Sequence, residues 1–281
     1  MSILIADSGS TKTDWALVAP SGRTAVTTQG INPVHQTADN IRQILSTELL
    51  PNLDALPTSV SNVYFYGSGV RPEQVEPMTQ LLRAAFSGAT VVEAYSDLLG
   101  AARALCGHNF GIASILGTGA NSCLYDGEHI IQNTPALGYI LGDEGSGAVM
   151  GKRFLHHLYS GLLSEKIKDD FEATTGLTLS DVINRVYRQP LPNRFLASLT
   201  PFVHEHLGEP AVGALVRQNF TDFIRIHIAP YGHRHLPLSF VGSIAYYFRD
   251  QLAAAVEAEG YTMGTILRSP IEGLVGYHQQ P

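Results

Sequence analysis

The sequence predicts an α/β chain of two lobes that repeat one element order, each a mixed five-stranded sheet with helices, and three observations predict it. Ser2-Ile3-Leu4-Ile5-Ala6-Asp7 is an apolar strand ending in a carboxylate, Ser8-Gly9-Ser10-Thr11-Lys12 is a turn of small residues, and Thr13-Asp14-Trp15-Ala16-Leu17-Val18 returns from it. The same strand, turn, strand unit recurs in the second half, where Gly111 to Leu116 runs into Gly117-Thr118-Gly119-Ala120-Asn121-Ser122 and leaves through Cys123-Leu124-Tyr125. Beyond each unit, short apolar runs alternate with segments of helical periodicity. A glycine turn lets backbone approach a ligand closely, because no Cβ intervenes, and its N–H groups suit an anion, most often a phosphate. One such turn is a weak signal. Two in equivalent places predict related lobes facing one polyphosphate.

Taken in order, strands at 2–7 and 13–19 are followed by the Pro20-Ser21-Gly22 turn and a third strand near 23–29. Gly30-Ile31-Asn32-Pro33 is a loop, and residues 38–50 read as a helix with Ile41, Ile44, Leu45 and Leu49 on one face. Val63-Tyr64-Phe65-Tyr66 is a buried-type strand ending in Gly67-Ser68-Gly69. A helix opens at Pro72, where proline suits a first turn, and runs through Phe86; a strand spans 89–95, and Ser96-Asp97 opens a helix to Leu105. The second lobe repeats this order, with strands near 111–116, 121–125 and 128–132, a mostly helical insertion over 144–230, and a strand Leu238–Val241 entering Gly242-Ser243. A helix to Glu259, a strand Thr265–Leu267 and a closing helix Ile271–Tyr277 complete it. The expected division is 1–108 and 109–281, an internal repeat of architecture rather than of sequence, with ligands expected in a cleft between the lobes.

Composition narrows the function. A net charge of −7 with scattered Lys and Arg argues against nucleic acid as the partner. Two cysteines, Cys106 and Cys123, exclude a disulfide framework, and a reducing cytoplasm is the simplest home. No apolar run reaches membrane-spanning length, and the N-terminal run, lacking a basic region and interrupted by Asp7, reads as a folded strand rather than a signal peptide. His156-His157, His204-Glu205-His206 and His233-Arg234-His235 lack the i, i+4 spacing of a zinc helix and read as solvated histidines.

Several residues carry a chemical reading beside a plain one. Asp7, at a strand end beside a phosphate turn, can hold Mg²⁺ through water or can simply brace its own loop. Lys12 either adds charge to a transferring phosphoryl group or is a solvated loop lysine. Asp97 is either a general base or a helix N-cap. The amide of Asn32 can donate to and accept from a polar ligand or can form an ordinary Asn-Pro turn. Gly242-Ser243 leaves room for a ligand against the backbone or for tight strand–helix packing. The turn over Ser8–Lys12 is not a G-x-x-x-x-G-K-[ST] loop, so that mechanism does not transfer.

These motifs resemble those of the acetate kinase, sugar kinase, Hsp70 and actin superfamily, and more closely those of the N-acetylglucosamine kinases within the BadF/BadG/BcrA/BcrD-type ATPase family. Asp7-Ser8-Gly9-Ser10-Thr11-Lys12-Thr13 is similar to the first phosphate motif and Gly117 to Ser122 to the second; Gly138-Tyr139-Ile140-Leu141-Gly142-Asp143-Glu144-Gly145-Ser146-Gly147 is similar to a signature of the kinase group, and Val241-Gly242-Ser243-Ile244-Ala245 to the adenosine motif. The resemblance spans the chain in order and implies two ribonuclease H-like lobes of the actin-like ATPase type. It implies an ATP- and Mg²⁺-dependent kinase for the hydroxymethyl (C6) oxygen of an N-acetylated amino sugar, N-acetylglucosamine or N-acetylmuramic acid. Asp97 would be the catalytic base. Gly9, Ser10, Thr11, Lys12, Gly117, Thr118, Gly119, Gly242 and Ser243 would hold the nucleotide, and Asp7 the metal ion. Asn32, Ser68, Gly69, Asn121, Gly138 and Asp143 would hold the sugar, and relatives of this kind are often homodimers. Here Asn32-Pro33-Val34-His35 stands where animal N-acetylglucosamine kinases carry a bulkier aromatic loop.

Two other classes compete. Relatives that activate 2-hydroxyacyl-CoA dehydratases or benzoyl-CoA reductases hold an iron–sulfur cluster between subunits, but Cys106 and Cys123 fall in no cluster pattern. Sugar-sensing regulators usually add a DNA-binding domain, for which a chain beginning at the phosphate strand leaves no room.

Overall fold

A computed structural model describes residues 2–9, 11–53 and 55–279. The chain divides into two compact units: Met1–Asn109 with Gly127–His129 and Ser269–Pro281, and Phe110–Asp126 with Ile130–Arg268.

In the first unit, β1 (Ile3–Ser8), β2 (Lys12–Ala19) and β3 (Gly22–Gln29) form an antiparallel meander. Helix α1 (Ala38–Ile44) follows, capped by the Thr37 hydroxyl, and winds on as a π-helical turn over Leu45–Leu49 until Pro51 removes a donor. Next come β4 (Asn62–Gly67), α2 (Pro72–Ala85), β5 (Val91–Ser96) and α3 (Asp97–Cys106). The sheet order is β3-β2-β1-β4-β5, with β1, β4 and β5 parallel. Central strands covered on both faces need continuous apolar runs, and Leu4, Ile5, Ala6, Val63, Phe65 and Tyr66 are all buried.

The second unit repeats this plan. Strands β6 (Gly111–Leu116), β7 (Ala120–Tyr125) and β8 (Ile130–Thr134) are antiparallel neighbours. Seven helices follow: α4 (Gly138–Leu141), α5 (Gly147–Tyr159), α6 (Glu165–Thr175), α7 (Leu179–Tyr187), α8 (Pro192–Ala197), α9 (Thr200–Glu205) and α10 (Pro210–Phe223), the last extended by a π-helical turn over Ile224–Ile228. Strand β9 (Leu238–Val241), helices α11 (Ser243–Tyr247) and α12 (Arg249–Ala258), and strand β10 (Met263–Leu267) complete the sheet, whose order is β10-β9-β6-β7-β8. With β6 standing for β1 and β9 for β4, the two orders are the same. The expected α/β fold of two mixed five-stranded sheets is thus present.

Two segments differ from the expected division: Gly127–His129 groups with the first unit, and so does the end of the chain. Helix α13 (Ile271–Gln279) belongs with the first unit, not with the second half of the chain. Leu274 and Val275 pack with Ile5, Ala16 and Tyr66, and Arg23 on β3 pairs with Glu272 through both guanidinium nitrogens, at 2.5 and 2.7 Å. Periodicity shows that a helix is amphipathic, not which sheet its apolar face meets.

The same helix carries a pH-sensitive contact. Arg103 Nη1 donates to the Tyr66 hydroxyl at 2.8 Å, and that hydroxyl lies 2.8 Å from His278 Nε2. Burial, with the charges of Arg103 and His108, lowers the His278 pKa to about 4. A neutral imidazole can accept the phenol proton; an imidazolium would set two donors face to face. The folded state therefore holds fewer protons than the unfolded chain between pH about 6.5 and about 4, so this contribution is intact above that window and is lost as pH falls through it. Thermal unfolding followed from pH 7.5 to 4.5 is expected to show a steeper loss of Tm for the wild type than for His278→Phe, with the two curves parallel above about pH 7.

Candidate active site

In the first unit the parallel strands end in register. Ser8 pairs with Gly67, and Gly67 with Ser96. Gly9, Ser68 and Asp97 therefore leave the sheet side by side at the carboxyl ends of the strands, the usual ligand edge of such sheets.

Asp97 is the first residue of α3. Its neighbour Ser96 is the N-cap, its hydroxyl accepting the Leu99 N–H at 3.3 Å. The capping role open to Asp97 in the sequence is thus taken, and one Asp97 oxygen accepts the Leu98 N–H, at 2.9 Å, with its own backbone N–H also near. Burial raises the pKa of Asp97, against the lowering effect of those backbone N–H groups. Asp7 stands opposite Asp14 across β1 and β2. Burial first, then the charges of Asp97 and Asp14, push its pKa up to about 7, with Lys12 opposing. Lys12 itself is exposed and bound to Asp14, Nζ to Oδ2 at 2.6 Å, so its head group already has a partner.

The turn after β1 closes with the Gly9 N–H on the Lys12 carbonyl at 3.0 Å, and the Thr11 carbonyl accepts the Gly30 N–H at 3.1 Å. Ser10 lies outside the described residues. The buried hydroxyls of Ser8 and Thr13, 2.6 Å apart, both accept the Ile31 N–H and so fix the loop that carries Asn32. Asn32 forms the plain Asx turn as well: its Oδ1 accepts the Val34 N–H at 3.0 Å. Its amide packs against Gly69, so these two sugar-site candidates do meet. Beside them the Ser68 hydroxyl is buried with no partner among the described residues.

In the second unit the Gly117–Gly119 turn is anchored by its carbonyls. Those of Gly117 and Thr118 accept the N–H groups of Gly147 and Ala148, at 2.8 and 3.1 Å, at the start of α5. The Thr118 and Gly119 N–H groups have no protein partner among the described residues, the arrangement an anion needs. Gly242 follows β9 at φ 123°, where a Cβ would strike the Leu116 carbonyl oxygen. Close backbone packing therefore accounts for this glycine without a ligand. Ser243 is exposed and lines a cavity of about 440 Å³ with Ala197, Pro201, His204 and Tyr247. Helices α8 and α9 of the insertion supply half of that wall, a role with no motif to announce it. A larger cavity of about 640 Å³, between Tyr139, Leu155, Tyr159, Ile183 and Tyr187, holds none of the candidate residues.

Asp143 is buried at φ 58°; its pKa is raised, chiefly by burial, against the lowering effect of the nearby Gly138 and Ala120 backbone N–H groups. Its Oδ2 lies against Gly119, so the acidic loop and the second phosphate turn are neighbours. Asn121 is not brought into this group: its Oδ1 accepts from Asn133 across β7 and β8 at 2.9 Å. Glu144 binds His227, Nε2 to Oε2 at 2.9 Å. No motif points to His227; the signal that could have found it is its i+4 and i+8 spacing from Phe223 and Asn219 along one helix.

The cysteines do not suit a shared cluster. Burial pushes the Cys106 thiol up to about 11, and Cys123 is fully buried on β7. No helix among the described residues is long and apolar enough to cross a membrane.

A protein of Porphyromonas gingivalis provisionally named an N-acetylglucosamine kinase is 45% identical to this chain, with 98% of each covered and a TM-score of 0.95. A second, from Chromobacterium violaceum and provisionally named alike, is 22% identical over 99% of each chain, with a TM-score of 0.75. Component A of (R)-2-hydroxyglutaryl-CoA dehydratase from Acidaminococcus fermentans is 12% identical, covering 99% of this chain and 96% of its own, with a TM-score of 0.51. The last two share the fold; at such identity the likeness extends no further. No family model matches the sequence, and no curated protein matches it.

Proposed function

We propose a function from one premise: the chain belongs to the N-acetylglucosamine kinase-like family of actin-fold proteins. It transfers the γ-phosphoryl group of ATP to a sugar hydroxyl. The acceptor is the C6 hydroxymethyl oxygen of an N-acetylated amino sugar, N-acetylglucosamine or N-acetylmuramic acid.

The observation that carries this reading is Asp97, a carboxylate set at a parallel-strand end and released from capping by Ser96. Its raised pKa suits a group that holds the acceptor hydroxyl and takes its proton as the new P–O bond forms. The bond between the γ-phosphorus and the β–γ bridging oxygen breaks, and ADP leaves. Asn32, Ser68 and Gly69 form the sugar side in the first unit. In the second, the Thr118 and Gly119 N–H groups bind phosphate oxygens, and the cavity beside Ser243 takes the base.

Asp7 fits a magnesium ion that arrives with the nucleotide. A carboxylate raised to about 7 by burial first, and then by neighbouring carboxylates, is a group that a cation stabilises in its charged form. Among the described residues no cluster of three ligating side chains could cage an ion alone, which accords with Mg²⁺ keeping its waters and leaning on phosphates and one carboxylate. When bound, the ion neutralises charge on the transferring phosphoryl oxygens.

The test is ADP release from Mg-ATP with N-acetylglucosamine, N-acetylmuramic acid, glucosamine, glucose or no sugar. Turnover that depends on an N-acetylated sugar is expected. Equal release with and without sugar would overturn the assignment.

A further inference from the structure

Three residues of one buried helical face hold the acidic loop over Gly142–Ser146. Asn219, Phe223 and His227 recur at i, i+4 and i+8 along α10 and its π-helical extension, and all three are buried. Asn219 Oδ1 accepts the Gly145 N–H, and its Nδ2 donates to the Ser146 carbonyl, both at 3.2 Å. Phe223 lies against Gly145, where a Cβ would come within 2.9 Å of the Phe223 Cβ and Cγ; at φ 83° only glycine is at ease there. His227 stacks on Phe223, centroids 5.2 Å apart, and reaches Glu144 through Nε2.

The opposite side of the loop is Asp143, a non-glycine residue in the left-handed region, φ 58°. Such a conformation persists only where the surroundings over-determine it. The turn is closed by the Ser146 N–H on the Asp143 carbonyl at 3.0 Å, and the contacts from the Asn219–Phe223–His227 face fall on the three residues that follow, Glu144, Gly145 and Ser146. His227 is itself pinned. Its carbonyl accepts from the Thr134 hydroxyl at 2.9 Å and the Ser122 hydroxyl at 3.3 Å, bonds that tie the π-helical turn to β7 and β8. A π-helical turn departs from the i→i−4 ladder and often marks a functional position. His227 Nδ1 is buried and has no partner among the described residues, so the ring's hydrogen bond is the one to Glu144.

We propose that His227, acting through Glu144, is a positioning residue for Asp143: the Asn219–Phe223–His227 face fixes the loop so that the Asp143 carboxylate meets the acceptor sugar in a set orientation. This rests on the reading of Asp143 as a sugar-binding residue. His227 touches no substrate. Its effect reaches the sugar through the loop, so it falls on sugar affinity rather than on ATP.

The test compares His227→Leu with His227→Gln, whose amide can still donate to Glu144. His227→Leu is expected to raise the KM for the acetylated sugar roughly tenfold or more while the KM for ATP stays within about twofold, and His227→Gln to recover most of the loss. Amide hydrogen exchange gives a readout free of activity. In His227→Leu the Gly145 and Ser146 amides, bonded to Asn219 and to the Asp143 carbonyl, should exchange roughly tenfold faster or more, while the interior β6 amides keep their protection. A folded His227→Leu with wild-type sugar KM and unchanged exchange, or one in which both KM values rise alike, would overturn the proposal. Should the wild type phosphorylate no sugar, the functional reading fails and the exchange pattern alone decides whether His227 positions the loop.

Discussion

Replacing Asp97 with asparagine is expected to lower kcat by about 10²–10⁴-fold, the usual contribution of a positioned general base, while leaving the KM for ATP nearly unchanged. The fold should survive. Ser96, not Asp97, caps α3, and an asparagine side chain can still accept the Leu98 N–H. Burial already disfavours the Asp97 charge, so a neutral isostere should leave Tm unchanged or slightly higher. That combination separates a chemical role from a structural one. If kcat fell less than about tenfold, Asp97 would not be the base; if Tm fell with kcat, it would be a structural residue.

The second large effect is on stability. Gly242→Ala should destabilise the protein by about 3 kcal/mol, because an alanine at φ 123° is strained and its methyl would strike the Leu116 carbonyl oxygen. Leu116 cannot yield cheaply: it is buried at the end of β6 and leads into the Gly117–Gly119 turn, whose carbonyls anchor α5. For a chain of this size the loss corresponds to roughly 6–12 °C in Tm. The KM for ATP should rise with it, since Ser243 and the phosphate turn move together. A Tm within about 2 °C of wild type would show that the backbone here relaxes freely.

The sheets were readable because their signals are local. Continuous apolar runs gave β1, β4, β6 and β9, and small-residue turns placed both hairpins. Asp7, Asp97 and the Gly117–Gly119 turn were legible because each lies where a strand ends, a position that a pattern of hydrophobicity marks. What remained hidden depends on contacts between distant residues. The apolar face of α13 is amphipathic whichever sheet receives it, and only packing on Ile5, Ala16 and Tyr66 decides. Whether Ser96 or Asp97 caps α3 turns on one hydroxyl's direction. Gly242 reads equally as adenosine contact or as close packing until the Leu116 carbonyl is seen beside it. The bond of Glu144 to His227 joins residues 83 apart in the chain, so no local pattern shows it.

The central claim is phosphoryl transfer to a sugar hydroxyl, and following the sugar-dependent reaction to its product tests it most directly. A ³¹P–¹H correlation spectrum of the product from ATP and N-acetylglucosamine or N-acetylmuramic acid should show phosphorus coupled to the two C6 protons of the sugar. Phosphorus appearing only as inorganic phosphate, with ADP formed whether or not sugar is present, would contradict it.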